Sequence, residues 1–136
     1  MSTPTKTLAE ELQAGLAGFY GTEHYYGHWT SRLIWTDGVQ YLAEKAGAYW
    51  LIDAIASWQI KPKVRREPFQ VWTLKVNREA KADPNADKPP VMAVLTGKDD
   101  EPGRVLARQE IEFTDFPLDS IKLYVEGGVL LLPSEH

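Results

Sequence analysis

The spacing of hydrophobic and polar positions changes along the chain, from a helical repeat in the first sixty residues to an alternating repeat afterwards. Leu8, Leu12 and Leu16 recur every fourth residue after a Thr7–Glu10 capping box, which predicts a helix from about Thr7 to Ala17. From Val105 to Phe113, apolar and polar residues alternate as in a half-buried strand. The chain is therefore predicted to be helical first and β-stranded later.

The longest apolar stretch, residues 47–59, predicts a buried helix around which the rest of the chain is arranged. One side of this helix is expected to face the core: Leu51, Ile52, Ile55, Trp58 and Gln59. The other side carries a mixed ladder: Tyr49, Trp50, Asp53 and Ser57. Because both sides hold aromatic residues, we expect both to be covered, so Asp53 needs partners. We favour a structural Asp53, bonded to backbone N–H groups or to a Trp or Tyr donor, over a binding-site role.

The remaining elements complete an α+β prediction with N-terminal helices packed on one face of a four- to five-stranded antiparallel sheet. A further helix from Val39 to Ala46 is expected to be capped by Thr36 or Asp37 and ended by Gly47. The other predicted strands are residues 33–35, 69–76, 91–96, 121–126 and 129–132, with a Gly127-Gly128 turn in the last hairpin. Residues 1–136 are interpreted as one domain, with residues 1–6 as a flexible N-terminus.

Three segments are predicted to lack regular structure, and a fourth to form a turn. Phe19–Trp29 is interpreted as an irregular, packed aromatic loop, and Ala80–Pro90 as a mobile loop. Lys61–Pro68, bracketed by two prolines, is expected to be extended. Thr114–Asp119 is predicted to form a capped turn or a single helical turn.

Composition narrows the class of protein. The chain has 136 residues, 43% of them hydrophobic, no cysteine and a net charge of −4. The absence of cysteine excludes disulfides, cysteine zinc sites and thiol nucleophiles. Together with the lack of a long apolar segment, this predicts a soluble cytoplasmic protein that does not bind membranes. Residues 61–90 carry eight basic and four acidic side chains, whereas both flanking parts are acidic.

Several stretches together resemble a family of small bacterial and mobile-element proteins classed as a domain of unknown function. The similarity runs from about residue 19 to 135 and rests on these motifs: Thr36-Asp37-Gly38, Ala48–Ser57, Phe69-x-Val-Trp-x-Leu-x-Val76, Phe113–Leu118 and Leu131–Glu135. The resemblance implies a plasmid or phage accessory protein, and such proteins often bind a host or defence component. It implies no catalytic residue.

Candidate chemistry is sparse. His24 and His28 are spaced i, i+4 and would share a metal ion on a helix, but Gly27 disfavours that helix, so we predict no metal site and no cofactor. Ser57 lies inside a helix, without the strained turn of a hydrolase nucleophile, and no catalytic residue is predicted. Asp37 and Asp115 each follow a threonine, and capping of a helix or turn explains both of them. The sequence does not show whether they lie close to Asp53.

We therefore expect a non-enzymatic protein-interaction module, with a host defence or DNA-processing factor as its candidate partner. The alternative is a small enzyme or ligand-binding protein with a pocket at Asp53, and a pocket there would favour this alternative. The candidate binding residues are Tyr49, Trp50, Asp53, Ser57, Tyr25, Tyr26, His28 and Trp29. A basic patch is interpreted as a solvated linker rather than a nucleic-acid site: Lys61, Lys63, Arg65 and Arg66.

Overall fold

The computed structural model describes residues 7–30, 32–78, 85 and 90–136, and these form helices and one sheet. The helices are α1 Leu8–Leu16, α2 Asp37–Ala46, α3 Tyr49–Trp58 and α4 Pro62–Arg65, with a 3₁₀ turn at Pro133–Glu135. The strands are β1 Tyr25–Gly27, β2 Ile34–Thr36, β3 Phe69–Val76, β4 Ala93–Lys98, β5 Val105–Ile111, β6 Ser120–Glu126 and β7 Val129–Leu131. The predicted α+β class is confirmed.

In the described part of the chain, the sheet has seven strands in the order β1-β2-β7-β6-β3-β4-β5. All neighbouring pairs are antiparallel except β2 and β7, which run parallel with Ile34 opposite Val129. The prediction of four or five antiparallel strands is therefore wrong. The extra strand β1 lies inside the aromatic segment that we interpreted as a loop, and the β2–β7 pairing joins parts of the chain that no local pattern connects. Packing of the helices on one face of the sheet stays a prediction.

Local signals set the helix ends. The Thr7 hydroxyl accepts the Glu10 N–H at 3.1 Å to begin α1, and the Thr36 hydroxyl accepts the Val39 N–H at 3.4 Å to begin α2. Gly47 ends α2 in the left-handed conformation, with φ of 60°, which glycine adopts without steric cost. None of the described helices is both long and apolar enough to span a bilayer.

The basic segment after α3 was predicted incorrectly. Instead of extended backbone, Pro62–Arg65 forms the helical turn α4, because proline is well tolerated at the first helical position. All four of its predicted basic residues are exposed, as expected: Lys61, Lys63, Arg65 and Arg66. The predicted mobile loop at residues 80–90 falls mostly outside the described residues, as does the N-terminus at residues 1–6. The segment Thr114–Asp119 is a turn in which the Thr114 hydroxyl accepts the Phe116 N–H.

The core combines α3 with alternate residues of the sheet. Leu51, Ile52 and Ile55 are buried in one cluster with Trp72, Leu74 and Leu123, which confirms their prediction. Ile111 and Ile121 pack against this cluster while partly buried. Phe113 was predicted to be buried and is 76% exposed. Strand β5 ends at Ile111, where its pairing with β4 also ends, so Phe113 lies beyond the paired strand.

A buried glutamine pair joins the end of α3 to α4 and β3. The Gln59 amide donates to Gln70 Oε1 at 2.8 Å, and the Gln70 amide donates back to Gln59 Oε1 at 3.0 Å and to the Val64 carbonyl at 2.8 Å. The Trp72 indole N–H also donates to Gln70 Oε1, at 2.9 Å. Because every polar group in this network is paired, two amides lie in the core without an unsatisfied atom.

Candidate functional site

A pocket of about 320 Å³ lies between the turn after β1 and the outer side of α3. Its walls are His28, Trp29, Thr30, Asp53, Ser57 and Ile60. Four of these were candidate binding residues in the sequence, so the structure brings half of the predicted set together. A pocket at Asp53 is the feature that we expected to favour ligand binding.

His28 is the buried base of this pocket, with 6% of its side chain exposed. Its backbone N–H donates to the Leu33 carbonyl at 2.9 Å, which closes the turn that displays Trp29 and Thr30. The Nδ1 atom lies 2.8 Å from the Thr30 hydroxyl and 3.2 Å from the Thr30 backbone N–H. The Nε2–H group donates to Asp53 Oδ1 at 2.8 Å, since an ionised carboxylate can only accept.

Asp53 differs from its prediction both in its burial and in its hydrogen-bond partner. Its side chain is 63% exposed, and it accepts a hydrogen bond from the imidazole of His28 rather than from backbone, Trp or Tyr donors. Among the described residues, no protein group donates to its second oxygen, Oδ2. Asp53 therefore presents an exposed carboxylate at the pocket mouth.

Apolar surface surrounds this charge. The Trp29 side chain is 86% exposed, and its ring centroid lies 5.5 Å from that of His28. Ile60, which is 52% exposed, forms another part of the wall after the end of α3. Ser57 donates its hydroxyl hydrogen to the Ala54 carbonyl at 2.7 Å, so this hydroxyl is engaged with its own helix. The pocket thus combines one carboxylate with an aromatic face and an aliphatic wall.

The other four candidate residues lie outside the pocket. Tyr49 accepts a hydrogen bond from the Gln40 amide at 2.7 Å, and Trp50 packs against the core. Tyr26 donates to Asp37 Oδ1 at 3.3 Å, and Tyr25 lines a separate hollow near the C-terminus. The sequence reasoning missed two lining residues, Thr30 and Ile60, because neither belongs to a motif. Their nearness to His28 and Ser57 in the chain was the available signal.

Asp37 anchors the segment that leads into the pocket. Its Oδ2 atom accepts the backbone N–H groups of Glu23 and His24 at 2.9 and 3.2 Å. These hydrogen bonds, the Glu23 bond foremost, lower the pKa of Asp37 below its usual value. Partial burial, followed by the Asp37 charge, raises the pKa of Tyr26. Capping was predicted for Asp37, but the cap of α2 is Thr36, and Asp37 holds the preceding loop instead.

The two histidines are held by different carboxylates. His24 Nδ1 lies 3.4 Å from Asp37 Oδ1, whereas His28 pairs with Asp53. They flank strand β1, where residues four apart are about 13 Å apart, so they do not share a helix face. Within the described residues, no cluster of three or more His, Cys, Asp or Glu side chains is arranged to hold a metal ion.

Residues 10–136 match the model of a family of unknown function, DUF6876, and the chain belongs to this family. The predicted membership of a family of unknown function is therefore confirmed. Comparisons with curated proteins and with solved structures gave no match.

Proposed function

We propose that this protein is a non-catalytic interaction module that binds a positively charged group, an ammonium or guanidinium, in the pocket at Asp53. The observation that carries the proposal is the exposed carboxylate of Asp53 beside the exposed ring of Trp29. A cation is attracted both by the carboxylate and by the face of an indole ring. The aliphatic wall at Ile60 suits the methylene stem of a lysine or arginine side chain.

The size of these attractions favours a protein partner over a free amine. A cation–π contact at an exposed site contributes about 0.5–1 kcal/mol. An exposed ion pair contributes about 0.2–1 kcal/mol. Even millimolar affinity needs about 4 kcal/mol, so the pocket alone holds a small cation only weakly. A basic side chain on a protein partner gains the rest from contacts around the pocket, which makes this site an anchor within a larger interface.

The proposal is tested by NMR with a short peptide whose only charged side chain is one arginine, compared with the same peptide carrying uncharged citrulline. The arginine peptide should shift the Trp29 indole N–H signal and the Asp53 backbone amide at concentrations of roughly tens of millimolar, and the citrulline peptide should not. Trp29→Ala identifies the indole signal. Equal shifts with both peptides, or shifts confined to other surfaces, would overturn the proposal.

Matched variants test whether the charge of Asp53 is responsible for binding the arginine peptide. Asp53→Asn keeps the shape of the side chain and removes its charge, so it should abolish the arginine-dependent shifts. Asp115→Asn removes a charge from another exposed carboxylate and should leave the shifts unchanged. Titration with agmatine, a free guanidinium compound, separates the two sources of the cation. Saturable micromolar binding of agmatine would assign the pocket to a small molecule instead of a protein side chain.

The identity of the protein partner stays a prediction. The resemblance to mobile-element proteins favours a host defence or DNA-processing factor, and cytoplasmic location is part of the same hypothesis. Affinity capture from the native host, with wild type and Asp53→Asn in parallel, tests it. The predicted factor should be retained by wild type and lost by the variant.

One observation favours a second candidate function, a small hydrolase. The Thr30 hydroxyl lies 2.8 Å from His28 Nδ1, and His28 Nε2 lies 2.8 Å from Asp53, which gives a hydroxyl–imidazole–carboxylate relay at the pocket. Thr30 Oγ1 also lies 3.4 Å from the Arg32 N–H, so ordering of the turn accounts for the same contacts. For this reason the relay ranks below cation binding.

The hydrolase candidate is tested with p-nitrophenyl acetate, an activated ester. In a catalytic relay, Thr30 Oγ attacks the ester carbonyl while its proton passes to His28 Nδ1, and p-nitrophenolate leaves. Thr30→Val should then abolish both turnover and acetylation of Thr30 detected by mass spectrometry. Equal ester cleavage by wild type and Thr30→Val, without acetylation at Thr30, contradicts this candidate.

A further inference from the structure

Strand β1 is the outermost strand at one edge of the sheet, and its pairing with β2 shows which backbone groups face outward. The Ile34 N–H donates to the Gly128 carbonyl at 3.1 Å, so Ile34 turns toward β7 and away from β1. Gly27 lies opposite Ile34, and it therefore directs its own N–H and carbonyl away from β2. Because ladder bonds alternate along an antiparallel pair, Tyr25 does the same.

This edge of β1 is open. Within the described residues, no other group bonds to the outward N–H or carbonyl of Gly27 or Tyr25. The Tyr25 side chain is 60% exposed, and a methyl group placed on Gly27 would meet no atom within 4 Å. The strand also has neither a lysine nor a proline, the residues that commonly protect edge strands from pairing. Its outward groups are therefore available to another extended chain.

We propose that an extended segment of the protein partner pairs with β1 and places a lysine or arginine side chain in the pocket at Asp53. The assignment rests on the proposed function of the pocket. In this mode of peptide recognition, main-chain hydrogen bonds at a sheet edge supply affinity, and a pocket for a side chain supplies specificity. The open edge and the exposed carboxylate would thus bind two parts of one segment.

Alternation along β1 leads from the edge to the pocket. Tyr26 faces the core, where its ring stacks with that of Trp35. His28, two residues later, faces the same way and reaches Asp53 on α3. A strand added to β1 lies about 4.8 Å from it, and its residue beside His28 directs its side chain to that face. In an antiparallel arrangement this pair has no mutual hydrogen bonds, so its side chains approach closely. A basic residue there lies beside the wall of the pocket.

The chemistry of the edge favours a partner other than a second copy of this chain. Residues 23–29, which contain β1, include no lysine or arginine. Two β1 strands paired with each other would therefore bring no cation to Asp53. The strand is only three residues long, so backbone pairing alone offers few hydrogen bonds. A segment that also fills the pocket gains contacts that self-pairing lacks.

Hydrogen exchange measured by NMR tests the pairing. The probe is a capped peptide of threonine and valine residues with one central arginine, because β-branched residues favour the extended conformation. As the peptide concentration rises, exchange of the Gly27 and Tyr25 amides with water should slow severalfold, and the Trp29 indole signal should shift. Unchanged exchange at both amides while the Trp29 signal shifts would overturn the strand pairing.

Two substitutions at Gly27 isolate the backbone donor. Gly27→Pro removes the outward N–H but no bond of the β1–β2 ladder, and edge strands accept proline. Gly27→Ala keeps the N–H and adds a methyl group in open space. The peptide dissociation constant should rise about two- to tenfold for Gly27→Pro and stay at the wild-type value for Gly27→Ala. Equal affinities of the two variants would contradict the proposal. If Gly27→Pro does not fold, exchange in the wild-type protein decides.

Failure of the edge and failure of the pocket give different results. If arginine peptides shift the Trp29 signal without slowing exchange in β1, strand pairing is excluded and cation binding stands. If a citrulline form of the probe slows this exchange as much as the arginine form, the edge is not linked to the pocket, and the proposal is overturned. Slowing with protein concentration alone would assign the edge to a second copy. If no peptide gives an Asp53-dependent shift, the proposed function itself is overturned.

Discussion

The two sides of helix α3 show how differently one ten-residue element is constrained. On the inner side, Leu51, Ile52 and Ile55 are at most 2% exposed and join the main core. On the outer side, Asp53 and Ser57 face solvent at a pocket. We expected both sides to be covered because both carry aromatics. The structure shows that Trp50 is only partly buried and Tyr49 is exposed, so aromatic residues on a helix do not require full cover.

This contrast teaches where function can be sought in a protein with few motifs. On the inner side, Leu51, Ile52 and Ile55 contribute stability through burial, and these three side chains carry no polar group. The outer side contributes little burial, yet it presents a carboxylate, an indole and an aliphatic wall around one hollow. The following predictions test this division, from the largest expected effect on stability to the smallest.

Truncation of the inner side should have the largest effect. Ile55 is fully buried, and Ile55→Ala removes apolar contacts and leaves a cavity, so the free energy of unfolding should fall by about 2–5 kcal/mol. Ser57→Ala on the outer side is the matched control and should stay within about 0.5 kcal/mol of wild type. Urea denaturation measures both. An unchanged midpoint for Ile55→Ala would show that the inner side is misassigned.

Disruption of the buried glutamine pair should have the next largest effect. Gln70→Leu leaves the Gln59 amide and the Trp72 indole N–H without their acceptor, which should lower the free energy of unfolding by about 1–3 kcal/mol. The exposed Gln13 of α1 supplies the control, since Gln13→Leu breaks no buried network. Equal denaturation curves for the two variants would argue against a stabilising role for the pair.

The Asp37 anchor should be visible in the pH dependence of stability. Its pKa is lowered in the folded protein, so its contribution is present above the ordinary value of 3.8 and is lost as pH falls through the lower folded value. Asp37→Asn should therefore be less stable than wild type at neutral pH, and the two should converge in acid. Thermal melts across this pH range measure the difference, with Asp115→Asn as control. A difference in stability between the two proteins that grows as pH falls would contradict this mechanism.

Loss of the outer carboxylate should have the smallest effect on folding. Asp53 is largely exposed, so Asp53→Asn should change the free energy of unfolding by less than about 1 kcal/mol while it abolishes cation binding. Urea denaturation of Asp53→Asn and Ile55→Ala under the same conditions compares the two losses of stability directly. A loss as large as that of Ile55→Ala would mean that Asp53 serves the fold, as the sequence had suggested, and not the pocket.

Short-range patterns were sufficient for several elements. The hydroxyls of Thr7 and Thr36 begin helices as predicted, and Gly47 ends α2. The Gly127-Gly128 turn has positive φ at both residues and joins β6 to β7 as expected for a tight hairpin. In each case the decisive hydrogen bond or backbone conformation involves residues within a few positions of one another, so the local sequence contains the information.

Long-range pairing was decided only by the tertiary structure. The parallel β2–β7 contact depends on chain segments that are distant in sequence, since Ile34 lies opposite Val129. The contact between His28 and Asp53 likewise joins residues 25 positions apart, and it turns an expected buried carboxylate into an exposed one at a pocket. The sequence by itself determined the inner side of α3 because burial follows from hydrophobic periodicity. The packing of the turn after β1 against α3 decided which polar groups meet on the outer side. The residue spacing within either segment does not specify this packing.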